Sequence, residues 1–318
     1  MILDFVKLHG LGNDFIFIDD LSQEIELDAA QVSWLCDRHF GIGADGVILV
    51  RPSPNAQCIA SMHYINSDGT LAEMCGNGVR CFAKYLVDRG FVTAEGEDFM
   101  LDTLSGPRTI RYTADSQGKL MSATVDMGAP MLASHDIPTT LAENARTPEG
   151  QPFVKEAAIP SPWGDFLFTC VSMGNPHAVC FIDDWQLVPE ELFKPMSEKS
   201  LESFDIARIG SFYEGNPAFP RKANIEFAQM QGEGIQMRVY ERGVGETLAC
   251  GTGACATGVA AFLTARSGKK NRLHLPGGVL EVEWGNDGRV LMTGPAAEVY
   301  SGSVQIPHDL CVSAQGDA

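Results

Sequence analysis

Two short stretches carry residue types able to move a proton to and from carbon. In residues 241–263, ERGVGETLACGTGACATGVAAFL, Cys250 precedes Gly251 and Gly253, and Ala256, Val259, Ala260 and Leu263 follow at helical spacing until Gly268 closes the pattern. A sulfur at a helix N-terminus meets unpaired backbone N–H groups and the positive end of the dipole. Both lower a thiol pKa and both receive a carboxylate. Cys250 therefore reads as an activated thiol beside an anion cradle. Residues 74–86, MCGNGVRCFAKYL, repeat the design: Cys75 is followed by Val79, Phe82, Ala83, Leu86 and Val87 on one helical face, with Gly90 as the stop.

The echo extends further. Gly12-Asn13-Asp14-Phe15 precedes the first thiol, with 62 residues from Asn13 to Cys75, and Gly174-Asn175-Pro176-His177 precedes the second, with 75 from Asn175 to Cys250. A duplicated half with an insertion in its second copy accounts for both separations. If Cys75 and Cys250 flank one carbon bearing an acidified hydrogen, one thiolate removes the proton and the opposite thiol returns another. The stereocentre inverts without redox change or covalent intermediate. His177 and Glu241 are candidates for biasing which sulfur is ionised, because an imidazole or carboxylate beside a thiol shifts its proton. Arg242 could pair with a substrate carboxylate, or be an ordinary surface ion pair. Asn13 and Asp14 could be turn formers only, but the echo at Asn175 favours ligand contact, whereas Asn66 stands open between the two readings.

The elements around these residues read as two similar α/β lobes of α+β type, each a mostly antiparallel sheet around one buried helix. Strands are expected over 2–8 and 15–18 with a loop at 9–14, then a helix over 30–39, strands at 47–50 and 59–65, the first thiol helix, and a β-meander over 99–127. The first lobe ends near 128. Residues 129–152, rich in Ala, Pro, Thr and Glu, read as a linker. Strands follow at 153–159, 166–172 and 178–182, then an irregular region 185–221 holding one helix at 189–202. Strands at 223–230 and 235–240 lead into the second thiol helix, and four strands from 272 to 306 finish the chain. The second lobe spans 129–299, and a cleft between lobes is the expected active site.

Composition excludes several classes of function. The chain has 318 residues, 45% hydrophobic and 20% charged, with 23 basic against 41 acidic side chains and a net charge of −18. A nucleic acid would meet a repulsive average field. No apolar run approaches a bilayer span, and the start MILDFVKLHG lacks the basic segment and apolar core of a signal peptide, so a cytoplasmic protein without a membrane partner is expected. Nine cysteines, an odd number, fit a reducing compartment better than a disulfide framework. Zinc is not expected at Cys75, Cys81, Cys250 and Cys255, because each second cysteine falls inside a helix rather than on a knuckle.

The chain resembles the diaminopimelate epimerase family. The resemblance is carried by HGLGNDFIFID at 9–19, HFGIGADGVILV at 39–50, NSDGTLAEMCGNGVRCFAKYL at 66–86, VSMGNPHAV at 171–179, KANIEF at 222–227, YERGVGETLACGTGACA at 240–256 and MTGPAAEVYSG at 292–302. It implies a cofactor-independent epimerase acting on LL- and meso-diaminopimelate, with Cys75 and Cys250 as acid/base residues modulated by His177 and Glu241. It further implies substrate contacts from Asn13, Asn66, Asn175, Asn224, Glu241 and Arg242, and backbone amides of Gly76, Asn77, Gly251 and Thr252 on the reacting carboxylate. It implies no metal, a C-terminal return (about 300–318) to the first lobe, and a homodimer in which Tyr300 takes part. Two departures stand out. Gly46 occupies a position where some members carry a substrate-contacting Gln, and residues 185–223 are longer than usual for the family. A proline or hydroxyproline racemase-type isomerase is the nearest rival, and a thiol redox or metal-binding protein is the rival from another class.

Overall fold

The chain opens on a tight hairpin. In the computed structural model, which describes residues 1–72, 74–92, 98–307 and 310, strand β1 (Ile2–Gly10) pairs antiparallel with β2 (Asn13–Asp19) as far as the Gly10–Asn13 pair. Only Leu11 and Gly12 remain to turn, at φ 58° and 88°, the positive-φ pair whose twist suits a two-residue hairpin. The loop expected over 9–14 is thus corrected. A leucine in the left-handed region is not signalled by sequence, and here the Leu11 side chain is buried.

Helix α1 (Ala29–Cys36) starts in a capping box, Asp28 accepting from the Gln31 N–H while the Gln31 side chain accepts from the Asp28 N–H. Strands β3 (Gly46–Arg51) and β4 (Cys58–Asn66), helix α2 (Gly76–Asp88), and strands β5 (Phe99–Asp102), β6 (Arg108–Ala114) and β7 (Leu120–Asp126) follow. Residues 129–152 are not a free linker. Leu132 and Ile137 are fully buried, Met131 bridges to Ser172, and β8 (Ala145–Arg146) pairs with β9 (Pro152–Phe153).

Strands β10 (Ala157–Ser161), β11 (Gly164–Ser172) and β12 (Pro176–Phe181) then lead to a second correction. The helix expected at 189–202 is replaced by two single 3₁₀ turns, Trp185–Leu187 and Glu190–Leu192, and the α-helix comes later, as α3 (Ile206–Glu214). Pro189 and Pro195 withdraw backbone donors and restrict the residues before them. The Asp205 side chain accepts from the Arg208 N–H and starts α3. The chain continues through β13 (Asn224–Gln231), β14 (Gly234–Glu241), β15 (Gly245–Thr247), helix α4 (Gly251–Leu263), β16 (Lys270–Leu275), β17 (Gly278–Trp284), β18 (Val290–Pro295) and β19 (Ala297–Gln305).

These elements form two units, Met1–Val125 with residues 294–307 and 310, and Asp126–Thr293; the remainder of the expected C-terminal return, 308–309 and 311–318, lies outside the described residues. In the first unit the ladder order is β19, β1, β2, β3, β4, β5, β6, β7, with β2–β3 and β4–β5 parallel and the rest antiparallel. In the second it is β10, β11, β12, β13, β14, β16, β17, β18, with β12–β13 and β14–β16 parallel and the rest antiparallel. The same senses recur in the same order, so the two units are pseudo-symmetric. Each sheet lies between two helices.

In the first unit Ile16, Ile18, Val47 and Leu49 pack with Val32 and Leu35 of α1. Phe15, Phe17 and Ile48 alternate to the opposite face, where Phe17 stacks on Phe82 of α2 at 6.2 Å. Val79, Phe82, Ala83 and Leu86 of α2 are wholly buried, at roughly 1.5–3 kcal/mol per large side chain. This packing, rather than intrinsic propensity, sustains a short helix that begins at glycines. In the second unit Ala178, Cys180, Ile225 and Phe227 pack with Ile206, Ile209 and Tyr213 of α3. His177 and Glu226 alternate away from that layer, and Glu226 meets Gly253 in the first turn of α4.

Candidate active site

Cys75 is the N-cap residue of α2, at φ −140° and ψ 117°, with Gly76 and Asn77 opening the helix behind it. Asn13, the first residue of β2, reaches it. The Asn13 amide donates to Asp45 Oδ2 at 2.6 Å, and Asp45 is gripped by Arg38 at 2.8 Å. A carboxylate only accepts, so the Asn13 NH₂ must face Asp45. Its Oδ1 is thereby turned toward Asn77 Nδ2 (3.1 Å) and the Cys75 sulfur (3.6 Å), to which Cys75 donates its S–H. Arg38 also forks onto Asp14, which pairs with the buried Lys7 at 2.8 Å. Burial of Asp14 opposes ionisation, but the hydrogen bonds and charges of Arg38 and Lys7 outweigh it and hold the carboxyl at about 2.

Cys250 caps α4 in the same way, at φ −113° and ψ 112°, and is almost wholly buried. Its sulfur accepts the Gly253 N–H at 3.4 Å and lies 3.5 Å from Thr252 Oγ1. The expected depressed thiol pKa is corrected here. Burial first, then the carboxylates Glu241 and Glu226, push the Cys250 thiol well above its ordinary value, and the Thr252 and Gly253 contacts only partly offset them. Asn175 Nδ2 donates to Thr252 Oγ1 at 3.2 Å, and Asn175 Oδ1 is 3.0 Å from His177 Nε2. The fully buried His177 meets Glu226 Oε1 through Nδ1 at 2.6 Å.

The other candidates have scaffold partners. Asn66 ends β4 and donates to Thr70 Oγ1 at 3.1 Å. Asn224 is buried, opposite His177 in the β12–β13 ladder; it donates to Pro176 O at 3.1 Å and accepts the Arg242 N–H at 2.8 Å. Glu241 ends β14 and accepts from the Thr247 hydroxyl. The exposed Arg242 donates to Arg221 O at 3.2 Å, and the next residue, Gly243, donates to Glu214 of α3 at 2.7 Å. Part of the long 185–223 segment thus steadies the loop that carries Arg242. At Gly46 a Cβ would lie 2.5 Å from the Tyr64 ring and 2.6 Å from Ile65 O, so no side chain stands there while Tyr64 holds its place. Tyr300 is 44% exposed on β19, packed edge-on against Phe5.

Sequence reasoning passed over Asp45, Glu214 and Glu226. For Glu226 the signal was present, as a carboxylate inside an otherwise apolar strand, NIEFA. Among the described residues no disulfide joins the cysteines, no group of three His, Cys, Asp or Glu side chains is placed to hold a metal ion, and no helix is long and apolar enough to cross a membrane.

Two pseudo-symmetric units, each with a cysteine-capped helix against its sheet, define a racemase- and epimerase-type fold. A hydroxyproline epimerase from Agrobacterium vitis shares it, with a TM-score of 0.64 at 16% identity over 95% of this chain and 91% of that one. The diaminopimelate epimerase family model matches residues 5–133 and 169–299. The diaminopimelate epimerase of Desulfitobacterium hafniense is 43% identical over 94% of this chain and 97% of its own, and that of Synechocystis sp. 45% identical over 96% and 100%. The chain belongs to the diaminopimelate epimerase family and is an isomerase.

Proposed function

We propose that the protein interconverts LL- and meso-diaminopimelate without a cofactor, Cys75 and Cys250 serving as the two acid/base groups on opposite faces of the reacting α-carbon. The observation that carries the reading is the pair of cysteine N-caps, each followed by glycine-opened helix amides, in a chain of this family. The amides of Gly76, Asn77, Gly251 and Thr252 would hold the reacting carboxylate, where helix N-termini favour an anion. Asn13, Asn66, Asn175, Asn224, Glu241 and Arg242 would take the substrate's remaining amino and carboxylate groups.

Removal of the α-proton by one thiolate leaves an electron pair delocalised into that carboxylate. Delivery of a proton from the opposite thiol, on the other face, then inverts the centre. The product serves lysine and cell-wall precursor synthesis, and the protein works in the cytoplasm as a homodimer to which Tyr300 contributes. The test is turnover by enzyme treated with chelator and hydroxylamine, which remove metals and pyridoxal phosphate. Diaminopimelate should be epimerised at the untreated rate and hydroxyproline left unchanged. Dependence on added pyridoxal phosphate or metal would contradict the reading, and turnover of hydroxyproline instead would move the protein to the racemase branch of the fold.

A further inference from the structure

The two asparagines that echo each other are held in opposite amide orientations. Asn13 gives its NH₂ to Asp45 and presents its carbonyl oxygen to the Cys75 sulfur. Asn175 presents its carbonyl oxygen to His177 and gives its NH₂ to Thr252, whose hydroxyl is next to the Cys250 sulfur. One sulfur thus faces an acceptor. The other stands at the end of a row that runs Glu226, His177, Asn175, Thr252, Cys250, with steps of 2.6, 3.0, 3.2 and 3.5 Å.

The direction of that row depends on one proton. For Asn175 to give its NH₂ to Thr252, the His177 Nε2 must carry a hydrogen and donate it to Asn175 Oδ1. Then either a protonated Glu226 donates to a bare Nδ1, or a protonated imidazole donates to the carboxylate. Both forms keep one proton between the two side chains and leave the pair without net charge. The third arrangement, ionised Glu226 with neutral Nδ1–H imidazole, bares Nε2, turns the amide of Asn175 over, and takes the Thr252 hydroxyl away from sulfur. The surroundings disfavour it. Both side chains are wholly buried, Glu226 Oε2 has no hydrogen-bond partner, and Glu241 adds like charge from β14, all of which push the Glu226 carboxyl upward.

We propose that Glu226 is a positioning residue for Cys250: by sharing one proton with His177 it fixes the amide of Asn175 and aims the Thr252 hydroxyl at the sulfur. The hydroxyl and the Gly253 N–H then both donate to a developing thiolate. This offsets the burial and the Glu241 charge that oppose ionisation of Cys250. The first unit has no counterpart of the pair. Phe15 faces Gly46 in the β2–β3 ladder as His177 faces Asn224 in β12–β13, and Ile48 stands where the second unit has Glu226. Phe15 and Ile48 border Gly78 as Glu226 borders Gly253. The fold of the motif therefore accommodates an aliphatic residue at this register, and the carboxyl is tied to the Cys250 face alone.

The inference rests on the two-base reading, and the test separates the two. A diaminopimelate analogue with β-fluorine undergoes elimination when its α-hydrogen leaves as a proton, the released electron pair forming the Cα=Cβ bond as fluoride departs. Cys75→Ser leaves Cys250 to start this step, and Cys250→Ser leaves Cys75. Glu226→Ile should lower fluoride release about tenfold further in the Cys75→Ser protein than in the Cys250→Ser protein, the effect of one lost hydrogen bond to a charged group. Glu226→Gln, which can still donate to Nδ1, should recover most of the loss.

Equal effects in both backgrounds, or none, overturn the role of Glu226 while leaving the two-base reading intact. If neither parent eliminates, the two-base reading fails and this proposal falls with it. Nitrogen-15 NMR of the unmodified enzyme gives a readout independent of turnover. His177 should carry hydrogen on Nε2, and a neutral ring with hydrogen on Nδ1 only would overturn the proposal.

Discussion

At Gly253 the missing side chain lets a carboxyl reach the first turn of α4. A Cβ there would stand 2.8 Å from Glu226 Oε1 and 3.3 Å from the Cys250 sulfur. At the equivalent Gly78 it would meet Ile48 Cδ1 at 3.4 Å and the Cys75 Cβ at 3.5 Å, ordinary contacts. Gly253→Ala is expected to lower kcat about tenfold or more while Gly78→Ala has a smaller effect, although alanine favours both helices. Steady-state kinetics with a thermal melt of each variant checks this, and equal losses would contradict it. Asp14 gives the pH-dependent case. Its carboxyl is depressed to about 2 in the fold, so its stabilisation is complete above the ordinary aspartate range and fades as pH falls from about 4 towards 2. After allowance for screening by solvent, that contribution is about 1–2 kcal/mol. Urea midpoints of wild type and Asp14→Asn should differ most near neutral pH, with the gap shrinking below about pH 4 and closing only as pH falls to about 2 and below. A constant gap would contradict the assignment.

The two thiol helices end differently. After α2 the chain reverses through Gly90 at φ 75°, and after α4 the same place is taken by Ala265 at φ 59°. Ala265→Gly should stabilise the protein by about 1 kcal/mol, because a Cβ in the left-handed region is strained and glycine is not. A calorimetric melt would show the gain, and an unchanged or lower Tm would contradict it. Both helices were legible in the sequence, since a cysteine and glycines ahead of apolar residues at 3.6 spacing leave little alternative. Their ends were less so, α4 stopping at Leu263 rather than near Gly268. The helix expected at 189–202 failed because Leu192, Phe193 and Leu201 are buried through 3₁₀ turns and irregular backbone. Periodicity alone does not separate such burial from a helix. Residues 129–152 looked like a linker because Leu132 and Ile137 reach the core as isolated side chains rather than as a stripe.

Across the whole molecule the duplication repeats backbone and varies chemistry. The ladder senses are the same in both units, yet the Asp45–Asn13 anchor in one is answered by the Glu226–His177–Asn175 row in the other. Cys75, Cys250 and His177 were legible as candidates because reactive residue types stood in echoed glycine-rich segments. Glu226 stood out only as a carboxylate in an apolar strand, and its role was not legible, because that comes from the face it occupies between β13 and α4, which only the register supplies. Asp45 escaped for a related reason: its partner Asn13 is distant in sequence and meets it only across β2 and β3. Two different surroundings for two thiols suit a reaction in which one sulfur takes a proton and the other gives one. The most direct measurement is a brief incubation of LL-diaminopimelate with the purified enzyme in deuterated water, with no added cofactor. Two opposed thiols predict meso product carrying deuterium at the inverted carbon while the unreacted LL pool keeps its hydrogen. Substrate hydrogen retained in the product, or deuterium entering the LL pool ahead of inversion, would contradict the assignment of Cys75 and Cys250.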